Sequence, residues 1–318
     1  MTRILPLVCT GLRAAALLLL GVTLASAQDA GRLKVILDTD IGGDIDDAWA
    51  LGFALQSPDL DLVGVTITDG NTPARAKVAC KLLHAGSRDD VPVAVGRKTN
   101  DSNDFQFAWA EDFTAKQPVA QSAADFIVET VRKNPGAITL VAVGPLQNVA
   151  DALRKEPNLG KMLKRVVLMS GSIGPSAWQP QAMPEWNVVE STADAQVVYG
   201  AGLPITTVPL DSTTYVQLKD EEREILRKRD TPVGHALESL YRLWIASPTT
   251  RMTLHDQLAV AETVRPGQFF GRKETLSVAV DDKGYTRVDA SKGKPTAVCF
   301  EPKRDEFMAF YLEGLTRR

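Results

Sequence analysis

Cysteine and histidine are both scarce in this chain of 318 residues, which contains three of each. Three cysteines are too few for a disulfide-based scaffold or for a zinc site built on several thiolates. Three histidines leave little room for a histidine-rich metal site. Asp and Glu, with 39 residues, are the abundant ligands. The composition therefore favours a hard cation held by oxygen atoms over a transition metal.

An excess of positive charge is also missing, because 36 Lys and Arg face those 39 acidic residues and the net charge is −3. A nucleic-acid groove needs clustered Lys and Arg to neutralise phosphates, so nucleic acid is not an expected partner. The chain is 44% hydrophobic and 24% charged. This is the ordinary balance of a folded globular protein and excludes a chain that is disordered throughout.

Apolar runs long enough to span a membrane, roughly 20 residues, are missing as well. The run Ala14–Leu24 is shorter, follows Arg3 and Arg13, and precedes the small residues Ala25-Ser26-Ala27. A basic start, a short apolar centre and a small-residue end are typical of a secretory signal peptide. We therefore expect residues 1–27 to be removed and the protein to be exported, periplasmic or secreted, without a stable membrane anchor.

The remaining chain, residues 28–318, is expected to form a single domain, because it shows no internal repeat and no long linker. Its net charge is −5, since the segment removed carries two arginines and no acid. It keeps Cys80 and Cys299. Export would allow these to pair, but the sequence does not show whether they are close, so two buried thiols remain the alternative.

Short β-branched runs alternate with helical patterns along this domain. Strands are expected at Lys34–Leu37, Leu62–Ile67, Val91–Val95, Ile138–Val143 and Val166–Met169. Helices are expected at Asp46–Leu55, Ala74–Ala85, Ala123–Lys133 and Leu146–Leu153. The alternation predicts an α/β fold, a mostly parallel, Rossmann-like open sheet with helices on both faces. Ligands of such folds bind beyond the carboxyl ends of the strands.

The loop after the first expected strand is unusually acidic. It has five aspartates within ten residues: Asp38, Asp40, Asp44, Asp46 and Asp47. A helix start favours one or two carboxylates, through its free N–H groups and its dipole, but not five. A hard divalent ion would remove their mutual repulsion, and Gly42-Gly43 lets the backbone fold around it. Calcium suits an all-oxygen site better than magnesium, which usually also binds substrate phosphates.

Four further polar groups follow other predicted strands or precede helices. They are Asn71, the pair Gln147-Asn148, the run Glu185-Trp186-Asn187 and the pair His255-Asp256. Each alone has an ordinary structural explanation, such as a turn, a helix cap, a solvated loop acid or a packed imidazole. Their number and order along the chain make the set specific.

Taken together, these residues resemble the nucleoside hydrolase family, the inosine-uridine-preferring nucleoside N-ribohydrolases, from about residue 33 to the C-terminus. The family opens with a strand and an Asp-x-Asp-Pro-Gly-x-Asp-Asp loop. Asp38-Thr39-Asp40 matches its start and Asp46-Asp47-Ala48 its end. The resemblance implies the nucleoside hydrolase fold, a nucleoside substrate and hydrolysis of the N-glycosidic bond of ribonucleosides to ribose and free base.

The resemblance also assigns roles to single residues. It implies a Ca²⁺ ion with four protein ligands: Asp40, Asp47, Asp256 and the backbone carbonyl of Gln147. It implies that Asp46 is the base that activates water, and His255, a side chain that titrates near neutral pH, is the expected proton donor to the leaving base. Substrate-binding residues would be Asn71, Glu185, Trp186 and Asn187. Three tryptophans are candidates to stack on the base: Trp178, Trp186 and Trp244.

The chain departs from the family pattern in the acidic loop. Ile41 stands in the place of the family's proline, and two residues are inserted before the Asp pair. A rival register would make Asp44 the base and would put Ile45 in a ligand position, so we prefer Asp46 and Asp47. The family's asparagine for the 5′-hydroxyl has no clear match, because Ser172–Gln179 differs there.

Two other functions remain open at this point. A Mg²⁺-dependent phosphatase of the haloacid dehalogenase type also begins with a strand and Asp-x-Asp, although its acidic residues are spread along the chain. An exported protein that binds nucleoside or ribose without catalysis would share the fold. The preferred base is also open, and the resemblance allows a homo-oligomer, a dimer or tetramer.

Overall fold

The computed structural model describes residues 31–102, 104–245 and 250–316. The predicted signal peptide, residues 1–27, lies outside the described residues. The described residues from Leu33 onwards form one compact unit. No described helix combines the length and the apolarity needed to cross a membrane.

Nine strands of the described chain form one mixed sheet. They are β1 Leu33–Thr39, β2 Leu60–Ile67, β3 Val93–Val95, β4 Ile138–Ala142, β5 Arg165–Met169, β6 Ile205–Val208, β7 Phe270–Val280, β8 Thr286–Val288 and β9 Lys294–Pro302. Their order across the sheet is β3-β2-β1-β4-β5-β6-β9-β7-β8. The pairs from β3 to β9 are parallel, whereas β7 runs antiparallel to both β9 and β8. The prediction of a mostly parallel sheet is confirmed.

Helices connect these strands. They are α1 Asp46–Gln56, α2 Thr72–Ala85, α3 Phe107–Ala110, α4 Ala123–Lys133, α5 Gln147–Lys155, α6 Leu159–Met162, α7 Trp186–Val189, α8 Thr192–Gly200, α9 Leu210–Thr213, α10 Asp220–Arg227, α11 Pro232–Trp244, α12 His255–Val264 and α13 Arg304–Thr316. Every strand and helix predicted from the sequence is present, with ends displaced by at most two residues.

The central parallel strands of the sheet are buried on both faces, as their apolar sequences require, whereas β7 and β8 are largely exposed. Val35 and Leu37 of β1 belong to one hydrophobic cluster, which also contains Phe53 of α1. Ile36, between them, points to the other face and belongs to a second cluster with Ile127 of α4. Successive residues of a strand point to opposite faces, so both clusters depend on β1.

Cys80 and Cys299 lie in α2 and β9, and both are buried free thiols. Of the two alternatives that the sequence left open, the structure therefore has unpaired cysteines. Burial raises the pKa of the Cys80 thiol to about 11, so it is protonated and unreactive at neutral pH.

A buried carboxylate joins three elements near the carboxyl edge of the sheet. Asp38 of β1 lies opposite Thr66 of β2, whose hydroxyl donates a hydrogen bond to Oδ1 of Asp38. Nδ2 of Asn148 in α5 donates to the same oxygen at 2.7 Å. Burial raises the pKa of Asp38 to about 7, although both hydrogen bonds oppose that shift. Asp38 therefore has a structural place between β1, β2 and α5.

The Asn148→Ala substitution should destabilise the protein by about 1–3 kcal/mol, because it leaves a buried carboxylate with one partner fewer. Urea unfolding followed by circular dichroism measures the loss. Asn158→Ala is the matched control, since Asn158 is exposed and makes no side-chain cap hydrogen bond. Equal stability of the two variants would contradict the structural role of the Asp38–Asn148 contact.

Candidate active site

A cavity of about 610 Å³ lies in the loops that follow the carboxyl ends of β1, β4 and β5. Seven acidic residues line it: Asp40, Asp44, Asp46, Asp47, Asp104, Glu185 and Asp256. This is the edge at which ligands of parallel α/β folds bind. The carboxylates that the sequence places far apart in the chain therefore meet at the expected place.

Three of these carboxylates form a tight buried group. One oxygen from each of Asp46, Asp47 and Asp256 lies within 4.8 Å of the other two. Asp46 and Asp47 occupy the first turn of α1, and Asp256 the first turn of α12. Two helix N-termini thus converge, and their free N–H groups and dipoles favour negative charge. Three buried carboxylates at this spacing are a suitable donor set for a hard divalent cation.

Hydrogen bonds fix the orientation of this group. The hydroxyl of Thr39 donates to Oδ1 of Asp47, and Nε2 of Gln257 donates to the backbone oxygen of Asp46 at 2.8 Å. Asp40 lines the same cavity but stands outside the tight group, with its Oδ2 4.0 Å from Nη1 of Arg75. Three of the four predicted ligands and the predicted base therefore line the same cavity.

Burial and mutual repulsion shift the titration of these carboxyls. The pKa values of Asp46, Asp47 and Asp256 are raised well above the usual range, first by burial and then by the neighbouring carboxylates. Burial raises the pKa of Asp40 to about 6, and the charge of Arg75 opposes that shift. Without a cation, the site therefore holds protons that a divalent ion would displace.

The inserted acidic loop is held by a side chain from a distant segment of the chain, Gln106. Nε2 of Gln106 donates to the backbone oxygens of Gly43 and Asp44, at 2.9 and 2.8 Å. Ile45 is fully buried in the hydrophobic core, whereas Asp46 and Asp47 line the cavity. The rival register, which puts Ile45 in a ligand position, does not agree with this placement.

Glu185, Trp186 and Asn187 all line the cavity. Glu185 accepts hydrogen bonds from the backbone N–H groups of Gly171 and Asn187, at 2.9 and 2.8 Å, and burial raises its pKa to about 7. Nδ2 of Asn187 donates to the backbone oxygen of Val143 at 2.7 Å, which ties the loop to the end of β4. Trp186 is 63% exposed at the cavity.

His255 begins α12 and also lines the cavity, next to Asp256. Its Nδ1 lies 2.7 Å from the hydroxyl oxygen of Thr213, and its ring meets Trp178 edge to face, with centroids 5.3 Å apart. Burial lowers the pKa of His255 to about 4. The expectation that this imidazole titrates near neutral pH is therefore wrong: burial keeps the ring neutral, with one N–H to donate.

Two expected site residues, Asn71 and Gln147, are not among the described residues that line the acidic cavity. Asn71, which precedes α2, lines a neighbouring cavity beside Phe105, which shares Asp104 with the acidic cavity. Oε1 of Gln147 accepts a hydrogen bond from the backbone N–H of Asp69 at 3.1 Å. Val143, four residues before Gln147, lines the acidic cavity instead.

Other residues that line the cavity were not expected from the sequence, above all Arg75 and Asp104. Arg75 lies in α2, four residues after Asn71, but the two line different cavities, so no local pattern in the sequence pointed to Arg75. Of the three tryptophans, Trp178 and Trp186 line the cavity, and Trp244 is not among its described lining residues.

Comparison with known proteins identifies the family and the fold. Residues 35–309 match the sequence profile of the inosine-uridine preferring nucleoside hydrolases. The chain belongs to this family. It is similar to the pyrimidine-specific ribonucleoside hydrolase RihA of Shewanella sp. (strain MR-7), with 31% identity over 88% of this chain and 95% of the relative. It is 30% identical to the probable uridine nucleosidase 2 of Oryza sativa subsp. japonica, over 80% of this chain and 82% of the relative.

Solved structures of nucleoside hydrolases share its fold. A plant nucleoside hydrolase, the PpNRh1 enzyme, superposes with a TM-score of 0.79 at 27% identity, over 90% of this chain and 99% of that one. The purine-preferring ribonucleoside hydrolase from Gardnerella vaginalis superposes with a TM-score of 0.76 at 25% identity, over 89% and 98%. This nucleoside hydrolase is therefore an enzyme of the N-glycosyl hydrolase class, in a family that is in general metal-dependent.

The raised carboxyl pKa values make the stability of the metal-free enzyme depend on pH. The pKa is about 6 for Asp40 and about 7 for Asp38 and Glu185 in the folded protein, whereas the pKa of such carboxyls is about 4 in the unfolded chain. These three groups therefore bind protons more tightly in the folded state. In the metal-free protein, these carboxyls therefore make their full contribution to the free energy of unfolding below about pH 4. That contribution is lost as the pH rises towards 7.

We expect the metal-free protein to melt at a higher temperature at about pH 5.5 than at about pH 7.5. Added calcium should stabilise it more at the higher pH, because the ion binds ionised carboxylates. Scanning calorimetry with and without calcium measures both effects. A metal-free melting temperature that rises with pH across this window would contradict the raised pKa values.

Proposed function

We propose that this enzyme hydrolyses the N-glycosidic bond of ribonucleosides in a Ca²⁺-dependent reaction that releases ribose and free base. The observation that carries the proposal is the convergence of Asp46, Asp47 and Asp256 in one cavity with Glu185 and Asn187. Family membership supports the reaction class. The buried all-oxygen donor set supports calcium.

The ion would be held by Asp40, Asp47 and Asp256. When bound, it supplies Lewis acidity towards water and affinity for vicinal hydroxyls, which favours ribose over 2′-deoxyribose. The backbone carbonyl of Gln147 stays the expected fourth ligand of the ion, although Gln147 is not among the described residues that line the cavity.

Asp46 is the proposed general base. It is buried at the start of α1, and the bond from Gln257 to its backbone fixes its position. Once ionised, its carboxylate accepts a proton from the water that attacks the anomeric carbon. The N-glycosidic bond breaks as the new C–O bond forms, and its electron pair leaves with the nucleobase.

The cavity also suits the charge that develops during this reaction. Cleavage of a glycosidic bond passes through an oxocarbenium-like sugar, and the surrounding carboxylates stabilise its positive charge. Glu185 and Asn187 are the proposed ribose-binding residues. Trp178 and Trp186, which are 50% and 63% exposed at the cavity, are the proposed contacts of the base.

His255 is the proposed hydrogen-bond donor to the departing base. Since its pKa is lowered to about 4, it acts as a neutral ring at physiological pH. If the hydroxyl of Thr213 donates to Nδ1, the remaining ring proton lies on Nε2 and is free to bind the base. Purine and pyrimidine rings would place different acceptor atoms near Nε2 of His255. The loss of His255 would therefore reduce the turnover of purine and pyrimidine nucleosides unequally.

We also propose that the enzyme acts outside the cytoplasm, periplasmic or secreted, on the pattern of residues 1–27. Removal of that segment leaves residues 28–318 as the working enzyme. Assembly into a homodimer or homotetramer is proposed from the family resemblance alone.

Asp46→Asn should lower kcat by about 10²–10⁴-fold, because it removes the base while keeping the size of the side chain. Ribose release from the best substrate measures the loss, and circular dichroism checks the fold. Asp305→Asn, at a carboxylate that is 96% exposed, is the matched control and should be unchanged. Near-normal turnover of Asp46→Asn would exclude Asp46 as the base.

A panel of ribonucleosides and 2′-deoxyribonucleosides tests the reaction itself. With calcium present, we expect ribose from at least one ribonucleoside and far less release from its deoxy form. A chelator should abolish turnover, and added calcium should restore it. Binding of nucleosides without release of sugar would instead identify a non-catalytic binding protein, and unchanged turnover in chelator would exclude the metal.

A further inference from the structure

One fixed positive charge faces the acidic cavity. Among the described residues that line it, Arg75 alone is a lysine or arginine. Its side chain is 8% exposed, and its Nη2 lies 3.1 Å from Oδ2 of Asp104. Its Nη1 lies 4.0 Å from Oδ2 of Asp40, beyond hydrogen-bond distance. The guanidinium therefore lies between Asp104 and Asp40, which is a proposed metal ligand.

The contacts of Arg75 are mainly electrostatic. Within the described part of the chain, its Nε and Nη1 are buried and have no hydrogen-bond partner. A buried charge with unused donors is costly unless neighbouring charges compensate it. The carboxylates of the cavity are the compensating charges that the structure provides.

Two loops leave space for this guanidinium by placing glycine against it. A Cβ at Gly43, in the inserted acidic loop, would lie 3.3 Å from Nη1. A Cβ at Gly70, which has φ of +64°, would lie 3.0 Å from Nε. The insertion that sets this chain apart from the family pattern thus forms one wall of the Arg75 site.

We propose that Arg75 is a built-in counter-cation of the active site, which stabilises the metal-free acidic cluster and at the same time weakens the binding of a divalent ion. This inference rests on the metal site of the proposed function. Without the ion, the charge of Arg75 offsets part of the repulsion among Asp40, Asp47 and their neighbours. With the ion bound, the same charge repels it.

Calcium titrated calorimetrically into the metal-free full chain tests the inference, together with the melting temperature of the metal-free protein. Arg75→Met removes the charge and keeps much of the side-chain volume. We expect it to bind calcium at least about tenfold more tightly than the wild type and to melt lower without metal. Arg75→Lys keeps the charge and should bind calcium much as the wild type does.

Asp104→Asn is the matched control, because it breaks the same ion pair from the other side. If the effect of Arg75→Met came from a loosened loop, both variants would shift calcium affinity in the same direction. If it comes from the charge of Arg75, Asp104→Asn should bind calcium no more tightly than the wild type.

Unchanged or weaker calcium binding by Arg75→Met would overturn the inference, as would tighter binding shared by both variants. A wild-type protein that binds no calcium would contradict the metal in the proposed function. The two failures are therefore distinguishable, because the first requires a wild-type protein that does bind the ion.

Discussion

The repulsion among carboxylates crowded at the start of two helices is the constraint on which the site depends. Asp46 and Asp47 at α1 meet Asp256 at α12, and all three are buried. Helix dipoles, the hydroxyl of Thr39 and the charge of Arg75 each offset part of that repulsion. None of them is a divalent charge, so the arrangement is fully compensated only when the carboxyls hold protons or a cation binds.

The sheet makes this crowding possible because neighbouring residues of one strand end in different environments. Asp38 stays within β1 and is bound by Thr66 and Asn148, whereas Asp40, two residues later, has left the strand and lines the cavity. The first carboxylate stabilises the carboxyl edge of the sheet, and the second belongs to the site that this edge supports. Two aspartates separated by one residue thus have different roles, since Asp38 supports the fold and Asp40 belongs to the site.

Much of this was predictable from the sequence because it rests on local patterns. Apolar periodicity located the strands and helices, and the density of aspartates located the acidic loop. Side-chain direction was not predictable, because it depends on packing between distant segments. Asn71 faces another cavity while Arg75, one turn later, faces the site. The burial of His255 by its neighbours, which lowers its pKa, has no signal in sequence either.

If this cavity binds the nucleobase as we propose, selection among bases has to come from few groups. The relatives include a pyrimidine-specific and a purine-preferring enzyme, so likeness to the family does not decide the base. Stacking on Trp178 or Trp186 tolerates any base, because every base has an aromatic face. Discrimination between bases therefore depends on polar side chains that contact the edge of the base ring. On our proposal, His255 is a neutral ring whose Nδ1 is held by the hydroxyl of Thr213, so its Nε2–H would offer the base one directed hydrogen bond rather than a mobile charge, and a directed bond distinguishes ring acceptors by position.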